Sequence, residues 1–170
     1  MAELQEAMGG ISPPSLYAAF GSKEELFKEA VAVYRDSIGK VTVSTLEAPG
    51  VTTREAIRGM LRATVAHLTE PGEPQGCLIV LGATQCSADS ENVSEYLRDM
   101  RHKTLEIIRA RINRGIAEGD IPAGANAEAM ATFVTAFGHG LSVQARDGAS
   151  RKALHAAVDC AMGAWDAFAR

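Results

Sequence analysis

The strongest constraint on this chain is the spacing of apolar residues between Asn92 and Glu118. Val93, Tyr96, Leu97, Met100, Leu105, Ile108, Ile112 and Ile116 recur at about every third or fourth position, the repeat of one face of an α-helix. Arg98, Arg101, Lys103, Arg109, Arg111 and Arg114 fill its other faces. A long amphipathic rod is not stable alone; its stripe must be covered by other elements. The rest of the chain offers only more helices. Runs of the same kind are predicted over Thr53–Glu70, Asn126–Arg146 and Ser150–Ala169, the last carrying Leu154, Ala157, Val158, Ala161 and Trp165 on one side. Pro71, Gly72 and Pro74, then Gly119 to Pro122, then Asp147-Gly148-Ala149 separate these runs. Cys77 to Leu81 has a strand-like composition, but small apolar residues continue from Gly76 to Cys86, which reads as a buried helix. No segment alternates long enough to demand a strand, so the expected fold class is all-α.

Composition narrows the function classes. A length of 170 residues fits one or two small domains. With 46% hydrophobic and 22% charged residues the chain is of ordinary globular make-up. The net charge of -4 excludes a polycation, so any nucleic-acid binding must be local. No apolar run approaches the roughly 20 residues needed to span a bilayer, and Ala2-Glu3-Leu4-Gln5-Glu6 is no secretory signal. Three irregularly spaced cysteines suggest a reducing, cytoplasmic setting. Nucleophile-elbow, phosphate-loop and paired-histidine zinc motifs are absent from the sequence, so neither an enzyme, a metal site nor a cofactor is expected.

The most specific segment lies near the start. Ala2 to Met8 is predicted as a short helix, Gly9-Gly10 as a tight turn, and Pro13 to Phe20 as a second helix capped by Ser12 and stopped by Gly21. Ser22 and Glu25 then have capping-box spacing for a helix running to about Lys40, followed by a mixed stretch from Thr42 to Thr53. Two short helices, a glycine turn and a longer helix make the outline of a helix-turn-helix reader of DNA. Leu16 and Phe20 should face inward with Leu26 and Phe27, leaving Pro13, Ser15, Ala18 and Ala19 outward. Small outward residues let a helix sink close to base edges. Tyr17 has a hydroxyl for a phosphate, and Lys23 a positive charge.

The stretch Ile11-Ser12-Pro13-Pro14-Ser15-Leu16-Tyr17-Ala18-Ala19-Phe20-Gly21-Ser22-Lys23-Glu24-Glu25-Leu26-Phe27 resembles the recognition-helix region of the TetR (tetracycline repressor) family of bacterial transcription regulators. Gly76 to Ala83 after the Pro-rich loop, and Arg146-Asp147-Gly148-Ala149-Ser150, are similar to one branch of it. The resemblance implies a TetR-like homodimer, with a DNA-binding unit over residues 1–40 and a helical ligand-binding and dimerisation domain over 41–170. Carried over by position, Pro13, Pro14, Ser15, Ala18 and Ala19 would face bases. Tyr17 and Lys23 would touch phosphates, with Ser12 at the helix start. The family pattern has a further helix ahead of Ala2 that this sequence does not include, read as a truncated or late start ahead of a real loss. Residues 1–40 carry four basic against six acidic side chains, a net -2 where a DNA-binding unit usually leans positive.

In the larger domain, aromatic and small residues on the last two runs suggest a four-helix dimer interface through Phe137, Gly138, Leu141, Ala157, Ala161 and Trp165, the alternative being core within one subunit. A pocket for a small apolar or amphipathic effector is expected among Met60, Val65, Leu78, Leu81, Cys86, Tyr96, Met100, Phe133 and Phe137. His67, His102 and His139 are its candidate polar groups. The functional expectation is a ligand-responsive repressor that binds palindromic operator DNA as a dimer and is released by its effector. The alternatives are a small-molecule-binding dimer that does not bind DNA, and a thiol-based sensor using Cys86.

Overall fold

The computed structural model describes residues 2–82 and 91–168, and every regular element among them is helical. Three helices form the N-terminal unit: α1 (Ala2–Ala7), α2 (Pro13–Phe20) and α3 (Lys23–Tyr34). Gly9, at φ 76°, ends α1. The Gly10 N–H donates to the Gln5 carbonyl at 2.8 Å and the Gly9 N–H to the Glu6 carbonyl at 3.1 Å, the closing pair of a Schellman motif. Gln5 then reaches forward, its Nε2 donating to the Ile11 carbonyl at 3.0 Å, and so ties the turn to the entry of α2.

The helix opened at Ser22 runs further than its sequence pattern suggests. After Tyr34 the chain makes one wide turn over Arg35–Gly39, in which the Lys40 N–H reaches back five residues to the Arg35 carbonyl. It continues as α4 (Lys40–Ser44) and a tight turn, Thr45–Glu47. The first half of the stretch expected to be mixed is thus an extension of the rod, and position 40 lies inside it. The capping box expected at Ser22 is half made. The Ser22 side chain accepts from the Glu25 N–H at 3.1 Å, but the Glu25 carboxylate is taken by Lys28 Nζ at 2.8 Å. A complete box stands instead at Thr52 and Glu55.

The larger domain is built from α5 (Thr53–Leu68), the short α6 (Leu78–Leu81), α7 (Glu91–Glu118), α8 (Ala127–Arg146) and α9 (Arg151–Phe168). Their stripes close on one core. Ile57, Leu61 and Val65 of α5, Ile108 and Ile112 of α7, Val134 of α8, and Leu154, Val158 and Trp165 of α9 are all nearly inaccessible. Removal of such side chains from water supplies the main stabilisation, about 1.5–3 kcal/mol each. Charges run along the α5–α9 seam: Arg54 holds Asp166 with both ends of its fork, at 2.6 and 2.9 Å, and Arg58 and Arg62 share Asp159. Exposed pairs of this kind add little each and act mainly to fix register. The segment expected as a buried helix after Gly76 is helical only over Leu78–Leu81 among the described residues, and none of those four is fully buried. No helix of the described residues is long and apolar enough to cross a membrane.

Candidate functional site

Helix α2 owes its geometry to its first four residues. Ser12 is extended, its side chain accepts from the Ser15 N–H at 3.3 Å, and its hydroxyl lies 2.8 Å from that of Ser15. Pro13 follows at the first helical position, where a missing N–H costs nothing. The helix buries one side and leaves the other in solvent. Leu16 is fully inaccessible, while Pro13, Pro14, Ser15, Ala18 and Ala19 are exposed and Tyr17 keeps 45% of its surface in water. Gly21, at φ 75°, turns the chain into α3, whose exposed Lys23 stands in the first turn. Ser12, Tyr17 and Lys23 therefore border the free face of α2 with a hydroxyl, a phenol and an ammonium. The free side of α2 is thus a surface of small side chains with a few polar ends.

A second feature lies in the larger domain, a cavity of about 410 Å³. One wall comes from the rod, with Tyr34, Arg35, Gly39, Lys40 and Val43. The others come from Met60, Leu61, Thr64 and His67 of α5, Ile79 and Val80 of α6, Met100, Arg101 and Ile108 of α7, and Val134, Thr135, Gly138 and His139 of α8. Tyr34 Oη and His67 Nε2 lie 2.9 Å apart, their rings packed edge to face. Burial, and next the Cys77 thiol, push the Tyr34 phenol above its usual range. Burial holds the His67 imidazole below its own. Either group can donate in this bond, according to the imidazole tautomer, and burial disfavours the charged form of both rings. Burial, and then the Arg101 charge, also depress His139.

These depressed histidines set a pH dependence. The unfolded chain takes up protons near pH 6.5, while folded His67 and His139 resist them. Below that pH the unfolded state binds more protons, so stability falls as pH falls. Urea titrations at pH 7 and pH 5 should show a lower midpoint at pH 5, and the double variant His67→Gln, His139→Gln should flatten the difference. An unchanged difference in the variant would assign the effect to other groups.

The family model "Tetracyclin repressor-like, C-terminal domain" matches residues 53–162. The chain belongs to the TetR family. Its fold superposes on a cysteine-mutant form of the TetR family transcriptional regulator CifR, complexed with 26-bp double-strand operator DNA. The TM-score is 0.92 at 45% identity, over 97% of this chain and 85% of that one. A second cysteine mutant of CifR with the same operator gives a TM-score of 0.91. The HTH-type transcriptional repressor ComR of Escherichia coli K12 is 26% identical over 165 residues, spanning 97% of this chain and 78% of ComR.

Within this TetR-family chain, the expected pocket residues scatter. Met60 and Met100 line the cavity. Val65 does not, because its side of α5 packs into the core. Tyr96 turns to the N-terminal unit, where its hydroxyl donates to the Lys28 carbonyl at 3.4 Å. Phe133 and Phe137 stack on each other, ring centres 6.4 Å apart, against the outside of the core. Leu78 and Leu81 flank the α6 residues that reach the cavity, Ile79 and Val80, without lining it. Cys86 lies outside the described residues. Among the histidines, His67 and His139 line the cavity, whereas His102 is exposed elsewhere.

The expected interface residues also divide. Leu141, Ala161 and Trp165 are 3%, 8% and 2% exposed and belong to the subunit's own interior. Gly138 lines the cavity. Phe137 and Ala157 keep partial exposure. Sequence reasoning missed Tyr34, Ile79, Arg101 and Thr135. Arg101 could have been found, since it follows Met100 directly on α7 and carries a charge beside the apolar stripe.

Proposed function

We propose that this TetR-family protein is a transcriptional repressor that binds double-stranded operator DNA as a homodimer through α2, and that a small molecule in the 410 Å³ cavity releases it. The observation that carries this reading is the free face of α2, bounded by Ser12, Tyr17 and Lys23, on a fold shared at 45% identity with a regulator complexed with operator DNA. Pro13, Pro14, Ser15, Ala18 and Ala19 would lie against base edges, and Tyr17 and Lys23 against phosphates. Two copies would pair through the outer faces of α8 and α9, where Ala136, Gly140, Val143, Ala156 and Gly163 are exposed. Two-fold pairing sets the two reading helices about 34–36 Å apart, one turn of the duplex.

The release mechanism follows from the wall that the cavity and the DNA-binding unit share. Tyr34, Arg35 and Gly39 belong to the same rod that begins beside α2. A ligand that fits the cavity best when this rod is tilted binds the off-DNA form better and draws the population toward it. A gel shift on the DNA upstream of the protein's own gene tests the reading. Tyr17→Phe and Lys23→Ala should each weaken binding several-fold on all sequences, and Lys23→Ala should reduce the salt slope by about 1. Retardation unaffected by either variant would remove α2 from the interface. No retardation even at low salt would leave a small-molecule-binding dimer.

A further inference from the structure

The cavity is charged in the opposite sense to the molecule. The chain carries a net charge of -4, yet four cationic side chains, Arg35, Lys40, Arg101 and Lys103, line the cavity against a single acid, Asp36. Arg35 and Asp36 pair with each other at 3.3 Å. Lys40, Arg101 and Lys103 have no ion-pair partner among the described residues. The Arg101 guanidinium is half-buried and fixed by one of its ends, Nη1 donating to the Ile79 carbonyl at 2.8 Å, so its planar fork is oriented in advance. A cation held in place beside apolar walls, with no opposing carboxylate among the described residues, raises the free energy of the empty site and lowers that of an anion entering it.

Hydrogen-bonding capacity points the same way. The Thr64 and Thr104 hydroxyls donate back to the carbonyls of Met60 and Met100, at 2.9 and 3.2 Å. The hydroxyl of Thr135, on the α8 wall, is shielded from solvent and has no hydrogen-bond partner among the described residues. Next to it on the same wall His139 is uncharged, so it adds hydrogen-bonding capacity without a further positive charge. The remaining surface, with Met60, Leu61, Val80 and Val134, is apolar.

We propose that the effector is an amphipathic anion, a carboxylate-type head held by Arg101 and Lys103 with an apolar body against Met60, Leu61 and Val134. This rests on the reading of the cavity as the effector site. The planar guanidinium fork matches a carboxylate two bonds at a time, which a neutral head of the same size does not offer.

Calorimetric titration of the whole chain with octanoate and with octanol separates the two parts of the argument. Octanoate should bind about tenfold more tightly than octanol, the gap expected of a charge-assisted hydrogen bond, and added salt should narrow the gap. Arg101→Gln should bring octanoate most of the way to the octanol level and leave octanol unchanged. Lys103→Gln, at an exposed position that does not endanger folding, should weaken octanoate alone by a smaller factor. Gly138→Leu fills the cavity, since a Cβ there meets nothing within 4 Å, and should block both ligands. If octanol binds as tightly as octanoate and Gly138→Leu blocks both, the cavity reading stands and the anion proposal falls. If both ligands bind Gly138→Leu unchanged, the cavity reading itself falls. Absence of octanoate binding at millimolar concentration, or octanoate binding that neither charge variant alters, also overturns the proposal.

Discussion

Asp120→Ala is expected to lower the unfolding free energy by about 3 kcal/mol, the usual cost of stranding a buried charge. Arg111, on α7, has a side chain only 3% exposed. Its Nη1 donates to the Thr53 hydroxyl and its Nη2 to the Val51 carbonyl at 2.9 Å. The Asp120 carboxylate stands 3.9 Å from Nη2 and also accepts from the Thr53 N–H at 2.7 Å and the Thr53 hydroxyl at 3.0 Å. Burial, and then the Arg114 charge, push the Arg111 guanidinium below its usual range, while Asp120 pulls the other way. Alanine at 120 removes that support and strands the first N–H of α5. Asp120→Asn keeps an acceptor for Thr53 and should cost roughly half as much. Urea unfolding gives both values, and a loss under about 1 kcal/mol for the alanine variant would show that the network relaxes around the charge. DNA binding well below the melting temperature should be unchanged, because this network is remote from α2.

Trp165→Ala should cost about 4 kcal/mol, the range found for large aromatics removed from a core. Trp165 is 2% exposed and belongs, with Leu154, Val158 and Met162, to the core inside one subunit. The loss should therefore appear equally at low and high protein concentration. An interface residue behaves differently, because its contribution to apparent stability depends on protomer concentration. A variant of unchanged stability that sediments as a monomer would return Trp165 to the interface.

Trp165 also illustrates what the sequence conveys and what it does not. Its position on the apolar stripe of α9 is plain from Leu154, Val158 and Ala161 at helical spacing. Whether that stripe meets its own subunit or a second copy depends on which other helix lies across it. That is decided by packing angles between segments far apart in sequence, about which spacing is silent. The cavity raises the same difficulty. Met60 and Val65 are on one apolar helix, yet Met60 lines the void and Val65 the solid core. The helix-turn-helix was more legible because its signals are local: Ser12 caps, Pro13 opens, Leu16 buries and Gly21 stops, each within two turns of the next. The extent of the rod beyond Lys40 was hidden because Gly39 and the β-branched residues that follow weaken the helical pattern. Tertiary support from α5 overrides that weakness.

The wide turn at Arg35–Gly39 has a geometric effect at a distance. One additional residue in a helical turn shifts the angular phase of everything beyond it by about 100°. Side chains on the α3 side of the turn and those on the α4 side thus obey separate clocks, although a single rod carries both. The face that α3 presents to its neighbours and the face that Lys40 and Val43 present to the void were each free to be chosen without disturbing the other.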